Sequence, residues 1–361
     1  MVPGLSIAVL AGGDTGEREV SLGTGRAVIE ALADQGHRPQ LVELSTGADG
    51  PCWALDGQSA SPLELLAGAL AGVDVFFLAL HGGAGEGGVL QGFLQTLGLV
   101  HTGSGVEASA LCLDKVGLLE RMEAVGLRTA PRHLVPLAPP GAAPPAERSV
   151  EWERALTLEG ADVGLVVKPR RGGSSVATSL VRDRDPQTLA AAVELVHRQG
   201  GTPRAGDPVG DDALIEVCVP GVEVSVGVLE DESGLARPLP VVEIRPQGDS
   251  FFDYDQKYDP DGAVELCPAE SLSPALEMRL ADLALTVFRA AGCRGYARID
   301  FLCPTGSRHD GFDEPVLLEA NTLPGLTPRS LFPLEARADG LSFGQLCEAI
   351  AHAALRAARP C

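Results

Sequence analysis

The sequence predicts an α/β protein: an open parallel sheet at the N-terminus, followed by strand-rich α+β regions. Three observations carry this reading. Residues 5–80 alternate short apolar runs with amphipathic helical stretches. Two of those runs end in glycine turns, Ala11-Gly12-Gly13 and His81-Gly82-Gly83. From residue 213 onward, strand-length apolar runs crowd together before a long helix and a final pair of strands. Alternation of the first kind makes a parallel sheet, whose ligands gather at the carboxyl ends of its strands. A chain of 361 residues with 45% hydrophobic residues exceeds one ordinary core, so two or three domains are expected.

The elements follow in order. Residues 5–10 are a strand entering the first glycine turn, and residues 17–33 are a helix with Val20, Ala27, Val28 and Ala31 on one side, stopping near Gly36. Residues 40–44 are a strand, 62–71 a helix and 74–80 an apolar strand, which places Glu17 and His81 on one sheet edge. This first domain is expected over residues 1–105. Residues 114–125 are helical and close at Gly126, then the Pro/Ala-rich segment APPGAAPPAERS makes an exposed connection. Residues 164–167 form a strand leading to Lys168-Pro169 and the turn RRGGSSV. Residues 185–199 are helical, and a second loop ends the middle domain at residue 212. The last domain, 213–361, holds strands ALIEVCV, EVSVGVLE and LPVVEI, a polar loop GDSFFDYDQKYD, a helix over 274–291, strands YARIDFL and LLEAN, and a closing helix over 343–358.

Charge and cysteines narrow the function classes. A formal net charge of -21 argues against nucleic acid and anionic membrane surfaces, which need a basic footprint. It also gives weight to lysines beside glycine turns. Eight scattered cysteines without a CxxC pair favour reduced thiols and a cytoplasmic setting over a zinc cluster or disulfide framework. The N-terminal run is too short for a signal-peptide core, and no later segment has membrane-spanning length.

The chemistry concentrates near the C-terminus. Residues two apart on a strand share a face, so Arg298 pairs with Asp300 and Glu319 with Asn321. If the two strands form a hairpin across residues 304–314, two carboxylates, an amide and a guanidinium meet. Hard oxygen ligands beside a permanent cation suit magnesium carrying a nucleotide triphosphate, while a salt-bridged hairpin surface is the competing reading of either tripeptide alone. Lys168 ends a strand before Gly172-Gly173-Ser174-Ser175, a turn able to aim backbone N–H groups at phosphate, although a plain solvent loop has the same composition. Lys115 at a helix start is open to the reading of a surface lysine, and Lys257 and Tyr258 lie in an aromatic, acidic loop. Glu216 and Glu223 bracket Val-Cys-Val-Pro-Gly as hinge acceptors for a nucleotide or as solvated strand ends. Glu17 and His81 at the first sheet's edge could hold a substrate ammonium group.

Seven segments in order resemble the D-alanine:D-alanine ligases of the ATP-grasp superfamily. They are GGDTGEREVSL, the stretch HGGAGEGGVLQGFLQTLGLVHTGSGVEASALCLDK, VVKPRRGGSSV, IEVCVPGVEVSVGVL, FDYDQKYD, GYARIDF and LLEANTLPGLTPRSLFP, spanning residues 11 to 333. The resemblance implies a three-domain ATP-grasp fold with ATP between the central and C-terminal domains. It implies nucleotide and phosphate contacts from Lys115, Lys168, Ser174, Ser175, Glu216, Val219, Glu223 and Lys257, and magnesium (or manganese) on Asp300, Glu319 and Asn321. Glu17 would position the first D-alanine in a triad with Ser174 and Tyr258, beside His81. Arg298 and the Gly325 N–H would form an oxyanion site, and Ser330 would hold the second D-alanine's carboxylate. The loop over residues 251–259 would be a lid.

The same resemblance implies a cytoplasmic homodimer acting on small molecules. The sequence departs from the family pattern at Leu119, where a second basic residue is frequent, and at Ala177, where a glycine is common. A ligase making D-alanyl-D-lactate or D-alanyl-D-serine, another ATP-grasp carboxylate–amine ligase and a catalytically dead nucleotide-binding protein are the rival readings.

Overall fold

The structure is a computed structural model that describes residues 4–14, 16–47, 50–137, 149–173, 175–200, 210–231, 233–245, 263–304 and 314–358. The first sheet is built from β1 (Ser6–Gly12), β2 (Arg38–Gly47), β3 (Gly50–Leu55), β4 (Gln58–Ala60) and β5 (Val75–Leu78), in the order β4-β3-β2-β1-β5. Helices α1 (Arg18–Asp34) and α2 (Pro62–Ala67) connect its strands. The expected parallel core is β2-β1-β5. β3 and β4 extend it as antiparallel strands, a hairpin arm whose weak alternation (CWAL, QSA) gives little sequence signal. α2 starts at a reciprocal cap, with Ser61 and Glu64 bonding each other's backbone amides, and Pro62 fills its first position.

α3 (Gly83–Glu86), α4 (Val89–Thr96), α5 (Val106–Leu113) and α6 (Lys115–Glu123) then lead to the short β6 (Arg128–Thr129). The second sheet holds β7 (Arg132–Val135), β8 (Leu165–Pro169), β9 (Ser179–Val181) and β10 (Ala213–Val217), in the order β7-β10-β8-β9. α7 (Ser149–Leu156) and α8 (Pro186–Gln199) belong to the same layer pair, and Val193, Val196 and Trp152 pack with Val167 and Ile215 in its core. The third sheet runs β14 (Val264–Leu266), β13 (Val242–Arg245), β11 (Gly221–Glu230), β15 (Tyr296–Pro304), β16 (Val316–Asn321), β6, with β12 (Ala236–Pro238) paired to β11. α9 (Pro274–Ala290), α10 (Leu331–Ala338) and α11 (Phe343–Ala357) complete the chain.

Sheet pairing and core packing add detail around residues 105/106 and 212/213. β10 pairs with β7 and β8, so the middle sheet keeps this strand. Only Cys218, Val219 and Pro220 separate β10 from β11, so the chain passes from the second sheet to the third across this short link. All five β10 residues are buried, as a central strand requires. Residues of α5 and α6 (Ala108, Cys112, Leu118, Met122) sit instead in the core of the third sheet with Val226, Val287 and Phe301. Leu119 belongs to that core and is fully buried, which leaves no room for a basic side chain there. The first sheet's core is continuous with Leu346, Ile350 and Ala351 of α11, so the closing helix ties the two ends of the chain together.

Candidate active site

The register of β15 and β16 sets Arg298 opposite Asn321 and Asp300 opposite Glu319. These four side chains therefore share one face of the hairpin, as the period of two demands. Arg298 donates from Nε (2.9 Å) and Nη2 (2.7 Å) to the Asp300 carboxylate, a two-point grip on a carboxylate that is only 4% exposed. Ser225 Oγ on β11 donates to Asp300 at 2.8 Å, and Asn321 Nδ2 lies 3.1 Å from Asp300 and 3.5 Å from Glu319. Burial works against the Arg298 charge, but Asp300, Glu319 and Glu335 outweigh it and hold the guanidinium firmly protonated.

Lys115 is not a surface lysine, being 7% exposed at the first position of α6. Asp114 caps that helix by accepting from the Gly117 amide at 3.2 Å and is itself gripped by Arg170 through Nε and Nη2. Lys115 Nζ reaches the Gly172 carbonyl at 2.6 Å and Glu319 Oε2 at 3.5 Å. One side chain thus joins the glycine turn of the middle sheet to the carboxylates of the third.

Lys168, on β8, forms an ion pair with Glu216 on the adjacent β10. Burial would lower the Lys168 pKa, yet Glu216, Glu319 and Glu223 together raise it, so the ammonium stays charged. Val219, 5% exposed, packs with Ala130 and Val316 to give an apolar patch just past Glu216. Ser175 lies beside Gly172 in the turn, with a φ of 55°. Ser174, Lys257, Tyr258 and the loop over residues 251–259 lie outside the described residues.

The first sheet contributes its carboxyl edge, as expected. Glu17 is the N-cap residue of α1, and His81 follows β5 with Nε2 3.1 Å from Thr24 Oγ1. The His81 ring is held below its ordinary pKa by burial, opposed by Glu17 and reinforced by Arg298, so the first and third sheets face each other here. Ser21, one turn along from Glu17, accepts from the Gly12 amide (2.8 Å) and donates to the Ala79 carbonyl (2.7 Å). It is a fastener between β1 and the end of β5. Gly325 follows β16, and a Cβ there would come 2.8 Å from Ser330 Oγ. Ser330 stands at the N-cap position of α10 without a side-chain capping bond, and its Oγ shares a 2.8 Å hydrogen bond with Thr327 Oγ1.

Two carboxyls at this centre escaped the sequence reading. Glu86 in α3 accepts from the Gly82 amide at 3.0 Å, and desolvation with Glu17 and Glu319 nearby pushes its pKa up to about 7. Glu335 on α10 is wholly buried against Gly227 of β11. Burial raises its carboxyl well above the ordinary range, with Arg298 pulling the other way. The glycine-rich string around Glu86 was the available signal. The helical pattern LFPLEARA gave none for Glu335, because a lone acid there reads as a solvated face.

Residues 147–352 match a family model described as the D-ala D-ala ligase C-terminus. Along the whole chain, the D-alanine--D-alanine ligase of Synechococcus sp. (strain JA-3-3Ab) is 37% identical over 360 residues, covering 98% of this chain and 95% of that protein. The chain belongs to the D-alanine:D-alanine ligase family. A second ligase of that name, from Oleidesulfovibrio alaskensis, is 39% identical over 343 residues, 95% of this chain and 94% of its own. Among solved structures, the D-alanine--D-alanine ligase of Bacillus anthracis complexed with ATP superposes with a TM-score of 0.71 at 25% identity, over 98% of each chain. The three-sheet arrangement is accordingly the ATP-grasp fold of this family. No helix among the described residues is long and apolar enough to cross a membrane.

Proposed function

We propose that this protein joins two D-alanine molecules into D-alanyl-D-alanine, splitting ATP to ADP and phosphate, for peptidoglycan precursor synthesis. The observation that carries the reading is the meeting of three sheets at one place. The β15–β16 carboxylates, Lys115 and Lys168 at the glycine turn, and the Glu17–His81 edge of the first sheet bear on one another electrostatically.

The chemistry asks for these parts. A carboxylate resists attack by an amine because oxide leaves poorly. The first D-alanine, positioned by Glu17 and His81, therefore attacks the γ-phosphorus of ATP through its carboxylate oxygen, giving an acyl phosphate and ADP. Lys115, Lys168, Ser174, Ser175 and Lys257 hold the phosphates, while Glu216, Val219 and Glu223 seat the nucleoside. The neutral amine of the second D-alanine, its carboxylate held at Ser330, then attacks the acyl carbon. The oxyanion forms against Arg298 and the Gly325 N–H, phosphate leaves, and the amine proton is lost. Arg298 spends Nε and Nη2 on Asp300, so its fork is fixed before substrate arrives.

Asp300, Glu319 and Asn321 fit a magnesium ion: the Asn321 amide lies 3.1 Å from the Asp300 carboxylate and 3.5 Å from that of Glu319, and turning it would present its oxygen in place of Nδ2. Magnesium, or manganese, held there supplies charge neutralisation on the phosphates. Glu17, Ser174 and Tyr258 form the proposed triad, and Tyr258 favours D-alanine over D-lactate as acceptor. A cytoplasmic homodimer completes the reading, and light scattering on the purified protein tests the assembly.

The deciding assay is phosphate release with ATP, magnesium and a panel of D- and L-amino acids and D-lactate. D-alanine alone should support turnover, rising from neutral to mildly alkaline pH as the acceptor amine deprotonates. Chromatography of a reaction with equal D-alanine and D-lactate should give the dipeptide. A dominant depsipeptide would reassign the acceptor, and no phosphate release with any of them would leave a dead nucleotide-binding protein.

A further inference from the structure

Glu335 takes no part in the bond-making steps, yet the fold delivers it to their centre. The antiparallel register of β11 and β15 sets Ser225 opposite Asp300 and Gly227 opposite Arg298, so these four positions form a square on one face of the sheet. Three corners carry side chains. The fourth is filled from outside: a Cβ on Gly227 would collide with Glu335 Oε2 and come 2.9 Å from Leu239 Cδ1 and Phe332 Cδ2. On α10, Glu335 follows Leu331 by four residues and Phe332 by three, so the three buried side chains share the helix face that packs on β11. The Glu335 carboxyl therefore stands where a side chain of residue 227 would stand, beside Arg298 and Ser225.

Its surroundings leave it short of a donor. Glu335 is wholly buried, and neither carboxyl oxygen has a hydrogen-bond partner among the described residues. Asp300 collects the donors of the square: Arg298 gives it Nε and Nη2, and Ser225 gives it its single hydroxyl hydrogen at 2.8 Å. Toward Glu335, Ser225 Oγ then offers only lone pairs. An ionised Glu335 would be a second buried carboxylate near Asp300 with no hydrogen donated to it, a costly arrangement. A carboxylic acid has the hydrogen that Ser225 lacks. Burial first, and Asp300 after it, favour that acid form against the pull of Arg298.

We propose that Glu335 is a positioning residue for Arg298: as a carboxylic acid it turns its O–H onto Ser225 Oγ and completes a chain from Glu335 through Ser225 to Asp300. With its lone pair engaged, the Ser225 hydroxyl is held on Asp300, and Asp300 in turn holds the Arg298 fork. Glu335 touches no substrate in this role. The part played by Arg298 rests on the ligase reading, whereas the hydrogen-bonded acid does not.

Kinetics and spectroscopy on the full-length protein test the two parts separately. Glu335→Met fills the same space without a donor, and Glu335→Gln keeps a donor in nearly the same shape. With D-alanine, ATP and magnesium, Glu335→Met should lower kcat by about tenfold or more while KM for ATP stays within about twofold, the pattern of a lost supporting partner. A phosphinate dipeptide mimic should bind this variant about tenfold more weakly, and Glu335→Gln should keep rate and affinity within about twofold of the parent. The thermal midpoint of Glu335→Met should be no lower than the parent's, because an apolar side chain replaces a buried acid; a merely structural role predicts lost stability with the rate kept. Ser225→Ala cuts the chain without touching α10, so adding Glu335→Met to it should cost no further rate. Infrared difference spectra of the parent minus Glu335→Gln, recorded without ligands, should show the C=O stretch of a carboxylic acid, a reading that holds whatever reaction the site performs. Parent-like kcat and phosphinate affinity in folded Glu335→Met, a Glu335→Gln enzyme as impaired as Glu335→Met, additive losses in the double variant, or absence of the carboxylic acid band overturns the proposal.

Discussion

The β15–β16 hairpin and the Glu17–His81 edge lie at the same centre, yet they are organised by opposite means. In the hairpin, Asp300 is bonded by Arg298, Ser225 and Asn321, so its geometry is fixed by strand register and near neighbours. At the edge, burial shifts His81 and Glu86, and groups on other elements modulate that shift: Glu17, Arg298, Glu319 and Lys115. Local pairing gives the hairpin a preset charge pattern, while the edge is tuned by how the sheets meet. Damage to the hairpin should therefore remove chemistry with little change in pH response, and damage to the edge should alter pH response first.

The largest effect is expected in the hairpin. Glu319→Ala removes a carboxylate that faces Asp300 and Lys115. Phosphate release should fall by roughly a thousandfold or more, the scale of losing a preset electrostatic group. Circular dichroism and denaturant midpoints should stay close to the parent, because thinning a carboxylate cluster relieves repulsion. A folded Glu319→Ala enzyme with activity near the parent's would break the assignment of this face.

Lys168→Met comes next and probes the middle sheet. The substitution leaves Glu216, 4% exposed, without its ion-pair partner. Breaking a buried pair from one side typically costs about 3–5 kcal/mol. Urea unfolding should show a loss of that order, together with weaker ATP binding, and the double variant Lys168→Met/Glu216→Gln should recover part of the stability. A loss confined to ATP binding would mean that Glu216 finds solvent or another donor.

The edge is tested through pH. The Glu86 pKa rises from its ordinary 4.5 to about 7 in the fold. The folded state thus holds this proton more tightly than the unfolded chain. That contribution is fully present below pH 4.5 and is lost as pH climbs through 7. Glu86→Gln should leave stability nearly unchanged at pH 4 and raise it, by up to about 3 kcal/mol, at pH 8. Urea midpoints at the two values check it, and a pH-independent difference would count against the tuning.

The contrast also explains what could be read from the chain alone. Strand face and register follow from a period of two, so Arg298, Asp300, Glu319 and Asn321 were legible as one patch. Glycine turns after apolar strands made Glu17, His81 and the Lys168 turn legible by position. The interior setting of Lys115 was not, because it depends on α5 and α6 joining the third sheet's core. Glu335 was hidden for the same reason, since only the packing of α10 on β11 turns it inward. The pairing of β10 with β7 and β8 was not legible, because strand propensity carries no information about which neighbour a strand chooses.

The smallest effect tests the departure in the glycine turn. Ala177 has a φ of 55°, in the left-handed region that costs a residue with a Cβ about 1–2 kcal/mol. Glycine there removes that cost but returns about 0.5–1 kcal/mol through the freer unfolded chain. The Ala177 methyl also packs at the margin of the second sheet's core, and losing it trims the gain further. Ala177→Gly should therefore stabilise by no more than about 0.5 kcal/mol and change the phosphate-release rate by less than about twofold. Paired urea titrations and steady-state assays are sensitive enough to see this. A destabilisation above about 1 kcal/mol would mean that the methyl contact, rather than the backbone conformation, governs this position.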